Sequence, residues 1–155
     1  SVRSQPLVKI TEMDHIVLRV KDVEVSLQFY TETLGFTLLR KWSVNERVSA
    51  YVCFQGILLE LTTPSRPTPA DEDRTETRLG FTVDDLDAAL DAFRAAGVTI
   101  SREPWDAQTF WGRQAYIADP SGYILALREW RAPDGPRFTD WEPAHEGVVR
   151  LDTKA

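Results

Sequence analysis

The sequence predicts an α+β fold built from two tandem βαβββ modules, because it contains an internal repeat whose copies share one order of elements. Residues 15–30, HIVLRVKDVEVSLQFY, align with residues 78–93, RLGFTVDDLDAALDAF, at an offset of 63. Further along, GILLEL (56–61) aligns with GYILAL (122–127) at an offset of 66. A repeat of this length is typically one supersecondary unit, so the two copies are expected to fold alike.

The period of the apolar residues predicts the elements of the first module, about residues 11–63. Apolar residues alternate over 13–20, which is typical of a half-buried strand. Asp22 is expected to cap the following helix, and Gly35 is expected to end it. A tight turn at Gln55-Gly56 separates the last two strands. The three strands after the helix are predicted at 36–42, 48–54 and 57–62.

The second module, about residues 76–130, repeats this order. Its helix is predicted at 84–96, where Asp84-Asp85 stands at the start and is better explained as a helix cap than as a catalytic carboxylate pair. The turn Asp119-Pro-Ser-Gly122 separates the last two strands, since Pro and Gly suit its second and fourth positions. The strands are predicted at 77–83, 99–103, 112–118 and 123–129.

The two modules are expected to form a single domain over residues 1–130, since a chain of 155 residues suits one domain. Residues 64–75 are rich in proline and charge, so they are predicted to be the linker between the modules. Residues 131–155 belong to neither repeat. They are expected to form an irregular C-terminal extension that docks as a lid or brace.

Composition excludes several classes of function. The formal net charge is −6, whereas a nucleic-acid surface needs clustered Lys and Arg, so no nucleic-acid partner is expected. No apolar run is long enough to span a membrane, and the opening SVRSQPLVK lacks the apolar stretch of a signal peptide. Cys53 is the single cysteine, which excludes an internal disulfide. A cytoplasmic location is therefore expected.

An ordered set of short motifs gives the chain a family resemblance. The set comprises His15, the helix that ends at Gly35, Glu60, the segment Phe81-Thr-Val-Asp-Asp85, Trp111-Gly112 and the DPSG turn. Over about residues 11–130 the chain resembles the vicinal oxygen chelate superfamily, which includes glyoxalase I, bleomycin-resistance proteins, fosfomycin-resistance enzymes and extradiol dioxygenases. The resemblance implies cupped mixed or antiparallel sheets around a ligand cavity, with helices on the convex side. It also implies a homodimer.

The same resemblance implies where a metal site would lie. Metal enzymes of the superfamily take ligands from the concave face, usually His from each opening strand and Glu or Gln from each closing strand. Strand alternation puts His15 and Glu60 on that face in the first module. The repeat assigns Arg78 and Ala126 to the equivalent positions of the second module.

This donor set argues against a metal or any other cofactor. A catalytic divalent ion needs three or more protein ligands that offer lone pairs. Ala126 offers none, and the permanent charge of Arg78 would repel a cation. His145, the other histidine, lies outside both repeats.

Two interpretations of the remaining charged residues stay open. In the first, His15 and Glu60 contact a bound molecule, and Arg78 is available to its carboxylate, phenolate or carbonyl group. In the second, Arg78 and Glu60 form a structural ion pair between the modules, and His15 has no role. Both balance charge without a metal ion.

Aromatic residues near the concave face suggest the ligand. Taken singly, each tryptophan also fits ordinary packing, but their joint location could sandwich a planar aromatic molecule. The resemblance implies the same arrangement in metal-free proteins that sequester drugs such as bleomycin. We therefore predict a metal-independent protein that sequesters an aromatic or hydrophobic antibiotic or natural product. The candidate ligand-binding residues are His15, Trp42, Glu60, Arg78, Trp105, Phe110, Trp111 and Tyr116.

The alternative is a divergent glyoxalase-like or dioxygenase-like enzyme. It would be metal-free, with His15 and Glu60 acting as a base, or it would hold a metal with an incomplete ligand set. No catalytic residue is assigned, since the chain contains no GxSxG elbow, glycine-rich phosphate loop or paired-histidine helix.

Overall fold

A computed structural model describes residues 5–7, 9–64, 74–131 and 147–151. The chain divides into two compact units with a boundary at residues 68–69. Each unit is a four-stranded sheet with a helix, so the predicted α+β fold of two tandem βαβββ modules is confirmed. The grouping of both modules into a single domain stays a prediction.

The first unit has the strand order β1-β4-β3-β2. Strand β1 runs parallel to β4, and the other neighbouring pairs are antiparallel. The sheet is therefore mixed, and β1 and β2 are its edges. Its elements are β1 (Ile16–Arg19), α1 (Val23–Gln28), a π-helix (Phe29–Thr33), β2 (Thr37–Val44), β3 (Arg47–Phe54) and β4 (Ile57–Thr62).

The second unit repeats this topology in the order β5-β8-β7-β6, with β5 parallel to β8. A short 3-10 turn at Arg74–Glu76 precedes it. Its elements are β5 (Arg78–Thr82), α2 (Leu86–Ala95), β6 (Thr99–Asp106), β7 (Gly112–Ala118) and β8 (Ile124–Trp130).

Both helices begin at the aspartates that the sequence nominates. A side-chain oxygen of Asp22 accepts a hydrogen bond of 3.1 Å from the backbone N–H of Val25. Asp85 does the same for Ala88 at 3.0 Å. These bonds satisfy N–H groups that have no partner within the helix, which confirms the capping prediction.

The helix of the first unit changes character halfway along. It is α-helical over Val23–Gln28, and a π-helical turn follows, in which the N–H of Leu34 donates to the carbonyl of Phe29. The wider turn accommodates two consecutive buried aromatic residues, Phe29 and Tyr30. Gly35 then ends the helix with φ of 87°, a conformation that glycine adopts without strain.

One face of each sheet packs against its helix, and we call the opposite face the open face of the unit. On the helix side, alternate leucines of β1 and β4 are buried, as the alternation predicts. The same holds in the second unit for β8, whose Leu125 and Leu127 pack beneath the helix residues Leu86 and Leu90. The burial of these side chains supplies most of the stabilisation of each unit.

Strands β2 and β6 extend further than predicted. Strand β6 runs to Asp106, past Pro104, because β6 is an edge strand, where a residue without an N–H group is tolerated. Two bulges interrupt its pairing with β7, on either side of Arg102. In the first unit, Asn45 and Glu46 both have positive φ and form a tight β2–β3 turn that the sequence did not reveal.

The predicted linker and C-terminal extension lie largely outside the described residues. The described part of the chain contains no helix with the length and apolar character that a membrane span requires. The predicted cytoplasmic location stays a prediction.

Candidate functional site

The open face of the first unit gathers an aromatic and acidic cluster. Glu60 of β4 lies opposite Val17 of β1 and opposite Tyr51 of β3. The ring of Tyr51 lies 4.6 Å from that of Trp42 and 5.8 Å from that of His15, measured between centroids. Three predicted site residues, His15, Trp42 and Glu60, are therefore brought together around Tyr51.

Polar contacts connect this cluster. Nδ1 of His15 lies 2.7 Å from a carboxylate oxygen of Asp14, and Nε2 lies 3.6 Å from a carboxylate oxygen of Glu60. The hydroxyl of Tyr51 donates a hydrogen bond to Glu60. The imidazole is thus held between two carboxylates, and Glu60 links it to the phenol.

The surroundings raise the pKa of Tyr51 above its ordinary value. Burial of the phenol is the largest cause, followed by the negative charge of Glu60, the hydrogen bond to Glu60 and the charge of Asp14. Each of these disfavours the phenolate. Tyr51 is therefore a neutral hydrogen-bond donor over the physiological range.

Replacing Glu60 by Gln is expected to lower the pKa of Tyr51 toward the ordinary tyrosine value of about 10. The neutral amide removes the charge that opposes ionisation, while the effect of burial remains. Because the folded state holds this proton more tightly than the unfolded chain, Tyr51 contributes stability that is lost as pH rises through its folded pKa. The measurement is the ultraviolet absorbance of phenolate against pH, with Tyr51→Phe identifying the Tyr51 step. An E60Q titration that superimposes on that of the wild type would contradict this account.

A groove of about 460 Å³ adjoins the same cluster in the first unit. It runs beside Glu60 and has both charged and polar walls. Ser49 and Thr62, at the end of the β3–β4 pair, share a buried hydrogen bond of 2.8 Å. The lining residues are Val17, Arg19, Arg47, Glu60, Thr62, Thr63 and Pro64.

The open face of the second unit carries a matching aromatic pair. Trp105 lies opposite Gln114, as Trp42 lies opposite Ser49, and Tyr116 occupies the register position of Tyr51. The ring centroids of Trp105 and Tyr116 are 5.0 Å apart in an edge-on arrangement.

An arginine lies over one face of each ring of this second pair. The guanidinium carbon of Arg78 lies 5.0 Å from the ring centroid of Tyr116, and that of Arg102 lies 3.6 Å from the ring centroid of Trp105. The predicted site residues Arg78, Trp105 and Tyr116 are thus brought together, and Arg102 joins them.

The other two predicted aromatics lie apart from this pair. Phe110 is buried, and its ring centroid lies 4.9 Å from that of Trp130. Arg128 lies 4.5 Å from the same Phe110 ring, and burial lowers the pKa of its guanidinium. Trp111 instead faces Arg131 at 5.1 Å. Phe110 therefore contributes to the core of the second unit, and Trp111 lies at its margin.

The donor set does not fit a catalytic metal ion of the kind that the resemblance implies. Among the described residues, no group of three or more His, Cys, Asp and Glu side chains could hold a metal. His15 and Glu60 supply two donors, whereas the equivalent Arg78 and Ala126 supply none. The proposed ion pair between Arg78 and Glu60 stays a prediction.

Sequence reasoning missed Tyr51 and Arg102. Alternation along β3 places Tyr51 on the same face as Ser49 and Cys53, so the pattern contained the signal. Its equivalence to Tyr116 was a second signal. Arg102 gave no such signal, because bulges on both sides set its orientation.

Comparisons with known proteins agree with the fold. The family model of the glyoxalase/bleomycin resistance protein/dioxygenase superfamily matches residues 12–127. A probable lactoylglutathione lyase of Vibrio cholerae is 32% identical over 120 residues, covering 73% of this chain and 86% of the relative.

Two solved structures are also similar to this chain. The trypanothione-dependent glyoxalase I of Leishmania major is 30% identical, with a TM-score of 0.62 over 77% of this chain and 87% of that one. TnmS3, an antibiotic-binding protein from Streptomyces, is 28% identical, with a TM-score of 0.57 over 79% of this chain and 98% of that one. The chain therefore belongs to the glyoxalase/bleomycin resistance protein/dioxygenase superfamily.

Proposed function

We propose that this protein binds a planar aromatic small molecule without a metal ion. The observation that carries the proposal is the repeated Trp and Tyr pair on the open faces, Trp42 with Tyr51 and Trp105 with Tyr116. The units differ at the positions where the superfamily holds a metal, yet both keep this pair at the same register. Divergence of the metal positions alongside a repeated aromatic pair favours stacking over metal chemistry.

The aromatic pairs have the geometry to recognise flat apolar rings. A stacked or edge-on ring contact contributes about 0.5–1.5 kcal/mol beyond the area it buries. Tyr51 and Tyr116 also carry hydroxyl groups that can orient a polar substituent. A ligand that touches several of these rings could reach micromolar affinity, for which about 8 kcal/mol is needed.

Independence from metal rests on the chemistry of the donor set. His15 and Glu60 supply two lone-pair donors, and they already interact with Asp14 and Tyr51. A catalytic divalent ion would need at least one further protein ligand and an open position for substrate.

Sequestration of an antibiotic or related natural product is the role that we propose for this binding. The 28% identity to TnmS3, which is an antibiotic-binding protein, supports it. A protein that sequesters a drug must bind it tightly but need not convert it, so this role does not require a catalytic metal ion. Equivalent aromatic pairs on two units would suit this role.

The test is a thermal-shift screen of aromatic natural products, followed by titration of the hits with and without EDTA. A ligand that binds the folded state raises the melting temperature. We expect unchanged affinity in EDTA. Trp42→Leu and Trp105→Leu are each expected to weaken binding to the unit that carries the substitution about tenfold, because each removes a ring contact and its buried area.

Trp111→Leu is the matched control, since it removes a tryptophan that faces Arg131 and lies apart from the Trp105 and Tyr116 pair. It should weaken binding by less than about twofold. The proposal fails if no compound class shifts the melting temperature, or if EDTA abolishes binding.

A metal-free enzyme is the second candidate function. The contact of 2.7 Å between Asp14 and His15 favours it, because a carboxylate can orient an imidazole for proton transfer toward Glu60. The reaction proposed for this candidate is that of a lactoylglutathione lyase, because relatives such as that of Vibrio cholerae are named as probable lactoylglutathione lyases. A lactoylglutathione lyase assay and elemental analysis on the same preparation separate the candidates. Turnover by metal-free protein supports a metal-free enzyme. Turnover by protein that contains stoichiometric metal supports an enzyme with an incomplete ligand set, and absence of turnover supports the binding protein.

A homodimer and a cytoplasmic location complete the proposal. Family membership supports the first, and the composition supports the second. Light scattering on the purified chain tests the oligomeric state.

A further inference from the structure

The open faces of the two units differ in the charged side chains that lie beside their aromatic pairs. At equivalent register positions, His15 is replaced by Arg78, Glu60 by Ala126 and Thr62 by Arg128. The first unit therefore presents a carboxylate beside its aromatic pair. The second unit presents arginines, and none of its strand residues on this face is acidic. The strand residues on this face are Arg78, Gly80, Thr82, Thr99, Arg102, Trp105, Gly112, Gln114, Tyr116, Ala118, Ile124, Ala126, Arg128 and Trp130.

The arginines and rings of this face form a continuous row. Arg102 lies over Trp105, Trp105 meets Tyr116 edge-on, and Arg78 lies over Tyr116. The whole row belongs to one sheet. Two cations therefore flank one aromatic pair.

Stacking on a ring leaves a guanidinium able to bind an anion. The cation–π contact uses the flat face of the group, while its five N–H donors point outward in the guanidinium plane. These donors match a carboxylate in a two-point arrangement. Within the described part of the chain, Arg78 and Arg102 are exposed and make no salt bridge. The rings therefore orient these guanidinium groups and leave their N–H donors available to an anion.

Arg128 adds a third positive charge to the same face. It lies between the rings of Phe110 and Trp130, at 4.5 Å and 5.9 Å from their centroids. Its partial burial weakens screening by water, so its charge acts over a longer distance than that of a fully exposed arginine. An anion on this face would meet a favourable potential although the chain as a whole is acidic.

We propose that the open face of the second unit selects aromatic anions, with the ligand rings on Trp105 and Tyr116 and the anionic group on Arg78 and Arg102. The ligand class is an aryl carboxylate or sulfonate. This inference rests on the proposed function, since it assumes that the aromatic pair binds a flat ring. It adds the charge of the ligand and the unit that recognises it.

The test uses two dyes that share one aromatic skeleton. The anionic 8-anilinonaphthalene-1-sulfonate and the neutral N-phenyl-1-naphthylamine both fluoresce more strongly when bound in an apolar site. Arg78→Gln and Arg102→Gln are each expected to lower the affinity for the anionic dye about fivefold, because each removes a charge-assisted contact. Affinity for the neutral dye should change less than about twofold.

Arg94→Gln is the matched control, because it also removes one positive charge from the second unit. Arg94 lies on α2 and pairs with Glu103 at the surface, so its loss should cost little stability. Circular dichroism of all three variants confirms that they are folded. Raising the ionic strength to about 1 M should weaken binding of the anionic dye in the wild type more than in a variant that carries both Arg78→Gln and Arg102→Gln, since the screening length is then about 3 Å.

The outcomes separate this inference from the proposed function. If the neutral dye binds and the anionic dye is insensitive to both substitutions, the charge selection is overturned and aromatic binding stands. If Arg94→Gln lowers the affinity for the anionic dye as much as Arg78→Gln does, the effect comes from overall charge and the inference is again overturned. If neither dye binds the wild type, both proposals fall.

Discussion

Gly112→Ala is expected to lower the free energy of unfolding of the second unit by about 2–4 kcal/mol. A Cβ atom at Gly112 would lie 2.1 Å from the carbonyl oxygen of Glu129 and 2.9 Å from a ring carbon of Phe110. Neither neighbour can yield easily, since Glu129 belongs to the paired strand β8 and Phe110 is buried. For a unit of this size, the melting temperature should fall by about 4–8 °C per kcal/mol.

Gly80→Ala is the control for this prediction. It makes the same change in strand β5 of the same unit, where a Cβ atom would meet nothing within 4 Å. We expect its stability to stay within about 0.5 kcal/mol of the wild type. Chemical denaturation of both variants measures the difference. Equal stabilities would show that the close approach at Gly112 relaxes without cost.

Asp119→Ala is expected to destabilise the second unit by about 2–4 kcal/mol. One carboxylate oxygen of Asp119 accepts hydrogen bonds of 2.9 Å from the backbone N–H groups of both Ser121 and Tyr123. All three residues are buried, so alanine would leave two donors without a partner and without easy access to water. These bonds also hold the turn that sets the register of β7 against β8.

Asp119→Asn keeps an oxygen in the same place and serves as the control. It should recover more than half of the stability lost in Asp119→Ala, because the amide oxygen can accept both hydrogen bonds. Thermal denaturation of the two variants checks this order. If Asn is as damaging as Ala, the negative charge of Asp119 matters more than its role as an acceptor.

Local signals in the sequence predicted most of the fold. The caps at Asp22 and Asp85 and the turn at Asp119 each depend on a side chain and its nearest backbone neighbours. The faces of β1 and β4 depend on a simple alternation that no bulge interrupts. Such features need no knowledge of the rest of the chain.

Features that depend on pairing between strands were harder to predict. The sequence predicts that β6 ends at Glu103, whereas the strand continues to Asp106. It passes Pro104 because β6 lies at the sheet edge, where proline is tolerated, and that position depends on the tertiary structure. The contact of Trp42 with Tyr51 requires the bulge between Leu38 and Arg40, which sets the face that Trp42 occupies. The sequence repeat identifies candidate residues, whereas the register of strand pairing determines which of their side chains are in contact.

The second bulge in β6 also accounts for the stack of Arg102 on Trp105. These residues are three positions apart, so regular alternation would put their side chains on opposite faces of the strand. The bulge between them puts Trp105 opposite Gln114, just as Trp42 lies opposite Ser49 in the first unit. Both side chains then lie on the open face, with the guanidinium carbon 3.6 Å from the ring centroid. The preference for aromatic anions that we propose for the second unit therefore depends on an irregularity in one edge strand.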